Sequence, residues 1–329
     1  MSSLPAGGAL LQVQGLATEF RTRGRVVRAV DGIDFEVCTG EVFGLVGESG
    51  SGKSATCRSV LRLFGGADAR ITAGSILWCG RELVNLPEDE LAAVRGAEIA
   101  MIFQDPMTAL NPTMRIGQQI AESLIVHGRA EGAAARATVI DLLSRVSVPA
   151  PERRVDDYPH EFSGGMRQRV AIAMALACSP RLLIADEPTT ALDVTIQDQI
   201  LKLLLGLKKS LGLSVLLVTH DLGVIAQVCD RVAVMYAGRI LEIADTPALF
   251  ASPRHPYMKA LLRSIPGTNP GRRLQPIVGS PPDLSDPPPG CRFAPRCPQV
   301  EGLCRSTVPN LRRLANAHAA ACHFAGEEP

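Results

Sequence analysis

Short stretches of alternating apolar and polar residues fill the first part of the chain, over residues 10–47. A period of two is typical of strands with one buried face. Further along, compact apolar runs such as SVLLVTH and RVAVMYAG lie between stretches with helical periodicity. Strands that alternate with helices predict an α/β fold whose mainly parallel sheet is covered on both faces, and the antiparallel pattern of the first forty residues makes it a mixed sheet. The predicted helices include 117–127, 133–147, 166–178 and 196–211.

The pattern changes near residue 250. The segment SPPDLSDPPPG at 280–290 is too rich in proline for a helix interior or a central strand. We therefore predict that residues 1–250 form the α/β domain and that residues 251–329 form a C-terminal extension.

The composition is that of a globular protein. The chain has 329 residues, 46% of them hydrophobic, and 34 basic against 33 acidic side chains give a net charge of +1. This balance offers no electrostatic reason to expect a nucleic-acid partner. No stretch approaches the roughly 18 consecutive apolar residues of a transmembrane helix, and the N-terminus lacks the features of a signal peptide. We expect a cytosolic chain that reaches a membrane only through partners.

A glycine-rich loop with the sequence GESGSGKS occupies residues 47–54 and fits the pattern G-x-x-x-x-G-K-[ST] in full. It follows an apolar run and precedes a predicted helix, which is the setting in which such a loop binds phosphate; a chance glycine-rich turn is the alternative. Lys53 would contact the β- and γ-phosphates, and the Ser54 hydroxyl would ligate Mg²⁺. The predicted nucleotide-binding residues are Gly47, Glu48, Ser49, Gly50, Ser51, Gly52, Lys53, Ser54 and, through its backbone, Ala55.

Two acidic residues end the apolar run LLIADE at 182–187. In an open α/β sheet, ligands bind at the carboxyl ends of the strands. We therefore expect Asp186 to hold Mg²⁺ through water and Glu187 to orient or deprotonate the attacking water. A salt bridge at the strand end is the alternative for such a run on its own.

Three further sequence features are candidates for the same site. His220 follows the run SVLLVT and could hydrogen-bond the γ-phosphate, while Gln104 follows IAMIF and could contact Mg²⁺ or the water. Alone, each of these residues would be interpreted as structural. The segment FSGGMRQ places Ser163 and two glycines before a predicted helix, which makes a second anion site or an ordinary helix cap.

Together these motifs resemble the ATP-binding subunits of ABC transporters, in the order and at the spacing of that family. The matching residues are GESGSGKS (47–54), Gln104, FSGGMRQR (162–169), LLIADEP (182–188), ALD (191–193) and His220. The resemblance implies a P-loop ATPase core with a helical subdomain at about 105–180. It also implies a head-to-tail dimer, in which each ATP lies between one subunit's phosphate loop and the other's signature loop. FSGGM departs from the commoner L-S-G-G-Q of the family in its first and last residues.

The same resemblance assigns roles to residues outside the phosphate loop. It places Asp193 at the dimer seam and Phe20 against adenine, although Phe20 could equally be a core residue. The signature loop that would reach the partner's ATP comprises Ser163, Gly164, Gly165 and Met166.

A narrower resemblance, to the ATPase subunits of peptide importers, is carried by QDPMTALNP (104–112), HPYMKALLRSIP (255–266) and the cysteine-bearing tail. That group also imports nickel and related solutes. The resemblance implies two transmembrane permease subunits, a second ATPase subunit that is identical or related, and a solute-binding protein. It places the chain peripherally on the cytoplasmic face of the membrane, with segment 105–162 receiving a coupling helix of the permease.

Two other functions compete with this one. A non-transport ABC ATPase acting on DNA or ribosomes is disfavoured by the single cassette and the balanced charge. A metal-dependent sensor with an incidental ATP site is disfavoured by the intact catalytic positions.

Four cysteines lie in the last forty residues with the spacing Cys291-x₅-Cys297-x₆-Cys304-x₁₇-Cys322, which is not the C-x₂-C pattern of zinc ribbons. They could hold a [4Fe–4S] cluster or zinc, with a nearby His318 or His323 replacing one ligand, or they could remain thiols or disulfides. The resemblance to peptide importers favours the cluster. A small proline-rich tail buries too little surface to fold unaided, so its metal centre would be structural.

Overall fold

The computed structural model describes residues 8–22, 24–105, 109–190, 192–264, 276–314 and 317–326. The chain divides into two compact units, which are Met1–Val84 with Val218–Pro329, and Asn85–Leu217. Three sequence motifs extend beyond the described residues: ALD at its first position, QDPMTALNP at positions 106–108, and HPYMKALLRSIP at positions 265 and 266.

The first unit contains an antiparallel sheet of four strands in the order β2-β1-β4-β5, as the alternating pattern predicts. The register between β1 and β2 shifts around Gly15, whose positive φ of 56° suits glycine. The strands are β1 (Ala9–Thr22), β2 (Arg25–Cys38), β4 (Ala69–Trp78) and β5 (Arg81–Glu82).

A second group of strands in this unit surrounds β3 (Val42–Val46), which is buried along its whole length. β3 runs parallel to β9 (Arg231–Tyr236), and β9 pairs antiparallel with β10 (Arg239–Asp245), so the sheet is mixed as predicted. Burial on both faces explains why β3 is continuously apolar, so the alternation expected over residues 10–47 does not extend to this strand. The helices of this unit are α1 (Lys53–Val60), α8 (Leu222–Val228), α9 (Thr246–Ala251), α10 (Pro256–Ser264) and α11 (Gly302–Ser306).

The C-terminal extension adds strands to this same group. β12 (Ala319–Ala320) pairs antiparallel with β10, and β11 (Arg312–Arg313) pairs antiparallel with β12. The predicted domain boundary at residue 250 remains a prediction, but the end of the chain pairs with a strand that precedes this boundary.

The second unit holds the parallel strands β6 (Ile99–Ile102) and β7 (Leu182–Asp186). β8 (Ser214–Thr219) includes the last residues of this unit and the first that return to the other one. The four helices predicted by periodicity are confirmed with small shifts at their ends. The helices are α2 (Glu88–Val94), α3 (Ile116–Val126), α4 (Gly132–Arg145), α5 (Pro151–Arg154), α6 (Gly164–Ala175) and α7 (Val194–Leu211).

Helices built from the described residues all fall short of the combined length and apolar character that a membrane-crossing helix requires.

Buried polar contacts fix the C-terminal extension to the rest of the first unit. Asp31 on β2 accepts hydrogen bonds from Arg239 at 2.9 Å and from Arg292 at 2.5 Å, and the Arg292 side chain is only 6% exposed. Likewise His318 Nε2 lies 2.6 Å from the carboxylate of the fully buried Glu242. The extension is therefore attached through buried polar groups that would be costly to leave unpaired.

We expect Asp31→Asn to lower the free energy of unfolding by about 3 kcal/mol, because it leaves the buried guanidinium of Arg292 without a carboxylate. Burial raises the pKa of Asp31, but Arg239 and Arg292 outweigh it and hold this pKa below its ordinary value of 3.8. The stabilisation is therefore present above that ordinary value and is lost as the pH falls through the lowered pKa. Urea unfolding at neutral and acid pH measures both effects. Asp68→Asn, at an exposed position, is the control, and equal unfolding midpoints for the two variants would contradict the prediction.

Candidate active site

The glycine-rich loop connects β3 to α1 and packs tightly against neighbouring backbone. A Cβ atom added at Gly47 would lie 2.0 Å from the carbonyl oxygen of Met235, and one added at Gly52 would lie 2.2 Å from that of Ala29. Gly52 also has a φ of +106°, which disfavours other residues. Gly47 and Gly52 are therefore required by the close approach of neighbouring backbone, whereas Gly50 has open space around its Cβ position but a φ of +76° that disfavours other residues.

The chemistry of this loop fits a phosphate group. Lys53 is 4% exposed, and its ammonium group donates hydrogen bonds to the carbonyl oxygens of Gly47 at 2.8 Å and Glu48 at 3.0 Å. No side chain among the described residues caps the N-terminus of α1, and the buried Ser51 hydroxyl has no hydrogen-bond partner among them. The backbone N–H groups at a helix N-terminus favour an anion. Ser54, in the first turn of α1, is half-buried.

In the second unit, two predicted site residues meet at the carboxyl ends of β6 and β7. The side-chain amide of Gln104 donates to Oε2 of Glu187 at 3.2 Å, and the Thr190 hydroxyl donates to the same oxygen at 2.8 Å. Thr190 was not among the predicted site residues, although it lies three residues after Glu187. Asp186 ends the buried strand β7 and is 1% exposed. These contacts hold the Glu187 carboxylate in one orientation.

The backbone at Glu187 is in the left-handed region, with a φ of +49°. A residue other than glycine in this region costs of order 1 kcal/mol, and such residues concentrate at functional sites. The strain is therefore consistent with a requirement for this carboxylate at this position.

The signature segment forms the start of α6. Ser163 is the N-cap residue, and its hydroxyl accepts a hydrogen bond from the Met166 N–H at 3.4 Å. Gly164 is exposed, and a Cβ atom at Gly165 would lie 2.8 Å from Cγ2 of Ile196. The helix-cap interpretation describes Ser163 correctly, and its predicted contact with a nucleotide remains a prediction.

Asp193, His220 and Phe20 are the three remaining residues with predicted roles in nucleotide binding or dimer formation. Asp193 is exposed and caps α7 by accepting from the Ile196 N–H at 3.1 Å. His220 is exposed directly after β8. Phe20, on β1, is half-buried and packs edge-to-face on Phe64 with ring centroids 6.0 Å apart. Their predicted roles at the dimer seam, the γ-phosphate and the adenine remain predictions.

The four tail cysteines line one cavity, together with His255, Phe293 and His323. None is in a disulfide, Cys291 and Cys304 are buried, and burial raises the pKa of Cys297 to about 11. His318 lies instead against Glu242, so its predicted use as a replacement ligand is wrong. Within the described ranges, no group of three or more His, Cys, Asp or Glu side chains could hold a metal ion.

Comparisons with known proteins agree with this geometry. Residues 30–190 match the ABC transporter family, and residues 241–304 match the family described as "Oligopeptide/dipeptide transporter, C-terminal region". A dipeptide transport ATP-binding protein of Bacillus subtilis is 51% identical over 95% of this chain and 94% of its own. An oligopeptide transport ATP-binding protein of the same organism is 50% identical over 94% of this chain and 87% of its own.

The fold has a counterpart among solved structures. A dimeric ATP-binding cassette in a post-hydrolysis state, bound to ADP and phosphate, superimposes with a TM-score of 0.64 at 27% identity. The match covers 72% of this chain and 98% of that one. The chain belongs to the ABC transporter family, as an ATP-binding cassette that continues into an oligopeptide/dipeptide transporter C-terminal region.

Proposed function

We propose that this chain is the ATP-hydrolysing subunit of an importer that takes up di- or oligopeptides. The observation that carries the proposal is the phosphate loop, where the backbone leaves no room for side chains at Gly47 and Gly52 and Lys53 is buried beside it. Relatives that match nearly the whole chain are named for dipeptide and oligopeptide transport, which supports the substrate class.

In the proposed mechanism, Lys53 exchanges its hydrogen bonds to loop carbonyls for bonds to the phosphates of ATP. Bound Mg²⁺, held by Ser54, Gln104 and Asp186, would supply positive charge to the transferring phosphoryl group. Glu187 orients the attacking water and accepts its proton, and its hydrogen bonds from Gln104 and Thr190 keep the carboxylate in place. The rate enhancement comes mainly from positioning and from stabilising charge.

The chain works as one half of a dimer. The signature residues Ser163–Met166 contact the ATP held by the partner subunit, and Asp193 lies at the seam between the two. ATP binds the closed dimer more tightly than the open one, so binding closes the pair and product release reopens it. The partner is a second copy or a related ATPase.

Two transmembrane permease subunits transmit this motion, and a solute-binding protein delivers the peptide. The chain is then a peripheral protein on the cytoplasmic face of the membrane. The segment 105–162 receives a short helix of the permease. Nickel or another small solute is the alternative cargo for the same machinery.

Reconstitution tests this function. The chain is produced together with candidate permease, ATPase and solute-binding subunits, and the complex is placed in lipid vesicles. A labelled dipeptide should accumulate only with ATP and the binding protein, and the peptide should stimulate hydrolysis. Uptake of nickel but not of peptide would identify nickel as the cargo. A rate of ATP hydrolysis that no added solute changes would refute the transport function.

We further propose that the cysteine-lined cavity holds a [4Fe–4S] cluster. In a single zinc site, bonds of 2.3 Å bring the sulfur atoms within about 3.8 Å of one another. A cluster keeps its four thiolates further apart, because each binds a different iron. The four tail cysteines line one cavity and none of them is in a disulfide, so the four thiolates that a cluster requires are present there.

Purification without oxygen should therefore yield about four iron and four sulfide per chain, with a brown colour. Cys322→Ser should lose the iron, whereas Cys38→Ser, also half-buried but outside the tail, should keep it. Iron and sulfide analysis of the three proteins measures this. Stoichiometric zinc without sulfide would contradict the cluster.

A further inference from the structure

One residue of the phosphate loop is held by two residues from the C-terminal part of the chain. The Glu48 N–H donates to the Tyr257 hydroxyl at 3.1 Å, and the Glu48 carboxylate accepts from Arg296 Nη1 at 2.9 Å. These partners lie 209 and 248 positions further along the chain. The Glu48 carbonyl also accepts from Lys53, so the backbone and the side chain of this residue are both fixed.

Burial and several hydrogen bonds hold the Arg296 side chain in one position. Its side chain is only 5% exposed, and Nη1 also donates to the Tyr236 hydroxyl at 3.2 Å. Its Nε and Nη2 donate to the carbonyl oxygens of Val278 and Ile277 at 3.1 and 3.3 Å. Four hydrogen bonds therefore hold the guanidinium in one orientation.

The backbone segment that carries Arg296 also contributes to the cysteine cavity, through Ala294 and Cys297. Arg296 ends a single 3₁₀ turn, Ala294–Arg296, which lies between Cys291 and Cys297. Backbone hydrogen bonds join Ala294 to Cys291 at 3.0 Å and Cys297 to Ala294 at 3.3 Å. Whatever fixes the two cysteines also fixes the backbone of Arg296.

An aromatic cluster makes a second connection. Tyr236, Tyr257 and Phe293 are fully buried, with ring centroids 4.6 to 5.4 Å apart. Phe293 also lines the cysteine cavity, and the hydroxyl groups of the two tyrosines contact Arg296 and Glu48. A shift of the cysteine segment would therefore be transmitted to the loop through packed rings as well as through the ion pair.

From these contacts we propose that Arg296 is a positioning residue of the phosphate loop, and that through it the affinity for ATP depends on the state of the four-cysteine site. Arg296 neutralises a carboxylate that would otherwise repel the triphosphate, and it holds the loop in its binding conformation before ATP arrives. When the cysteines are bound to a common centre, Arg296 is fixed and ATP binds tightly. When the cysteines are not bound to a common centre, the phosphate loop must become ordered during binding, and the affinity for ATP falls. The inference rests on the proposed ATP site.

The test uses the full chain purified without oxygen and a fluorescent ATP analogue with Mg²⁺. Arg296→Gln should weaken binding roughly tenfold, the loss expected for one partly buried charge-assisted hydrogen bond. In the assembled transporter the variant should raise KM for ATP, while kcat changes by less than about twofold. Arg296→Lys, which keeps the charge but not the planar fork, should recover part of the affinity. Arg305→Gln, an exposed tail arginine, is the matched control and should bind like the parent.

Two double variants separate the steps. Glu48→Gln added to Arg296→Gln should restore part of the affinity, because the uncompensated carboxylate is removed. Cys297→Ser alone should weaken binding several-fold, but it should add nothing to Arg296→Gln, since both act through the same contact. Additive effects would refute the link between the cysteine site and the loop.

Other outcomes are equally decisive. Circular dichroism confirms that each variant is folded. A folded Arg296→Gln protein with the affinity of the parent would overturn its positioning role. If the parent itself bound no ATP and behaved like Lys53→Ala, the proposed function would fail rather than this inference alone.

Discussion

Glu187→Gln should keep its affinity for ATP and hydrolyse it at least about a hundredfold more slowly, the contribution typical of a general base. The amide keeps the size of the side chain and can still accept the hydrogen bonds that Gln104 and Thr190 donate to Oε2 in the parent. It cannot accept a proton from water. Since Mg²⁺ and the phosphates are assigned to other residues, binding should survive and the variant should accumulate in the ATP-bound dimer.

Phosphate release and nucleotide titration of the assembled transporter measure the two quantities separately. Glu90→Gln, at an exposed glutamate of the same unit that lies outside segment 105–162, is the control and should hydrolyse normally. Thr190→Val should show a smaller loss, because it removes only one of the two side chains that orient the carboxylate. Normal turnover in Glu187→Gln would exclude this residue as the base.

Lys53→Ala should weaken ATP binding by roughly a hundredfold, because it removes the one side chain of the loop that can bring a positive charge to the phosphates. The parent lysine is buried, and its hydrogen bonds to Gly47 and Glu48 are available for exchange with phosphate oxygens. Isothermal titration with MgATP gives the affinity.

The control for this variant is Lys202→Ala, where an exposed lysine pairs with Asp198 at 2.7 Å on α7. That change removes the same charge from the chain and should leave the ATP affinity unaltered. Unchanged affinity in Lys53→Ala, with the fold intact by circular dichroism, would contradict the assignment of the phosphate loop.

Local features were predictable from the sequence, because their signals lie within a few residues of one another. The phosphate loop follows from eight consecutive residues, and the start of α6 follows from the capping residue Ser163. Helix periodicity alone placed the starts of α6 and α7 two residues late, since a cap and the first turn carry little apolar pattern.

Distant contacts were not predictable in this way. Nothing in the vicinity of Glu48 indicates that Arg296 and Tyr257 bind it, because Arg296 belongs to no motif and the motif that contains Tyr257 does not specify which residue the tyrosine contacts. His318 illustrates the same limit, since its nearness in sequence to the cysteines suggested a ligand whereas the fold directs it to Glu242. Pairing between residues far apart depends on topology, which one sequence specifies only through the whole fold.

The pairing of β12 with β10 has a practical consequence for anyone who wishes to study the ATPase alone. Composition suggests cutting the chain near residue 250, where proline becomes frequent. Such a cut would strip the outer strands from the sheet and leave a row of unsatisfied backbone groups open to other molecules, which favours aggregation. It would also deprive the carboxylate at position 242 of its imidazole partner. Precipitation of a shortened protein would therefore reflect the loss of these edge strands and not a defect in the ATPase itself.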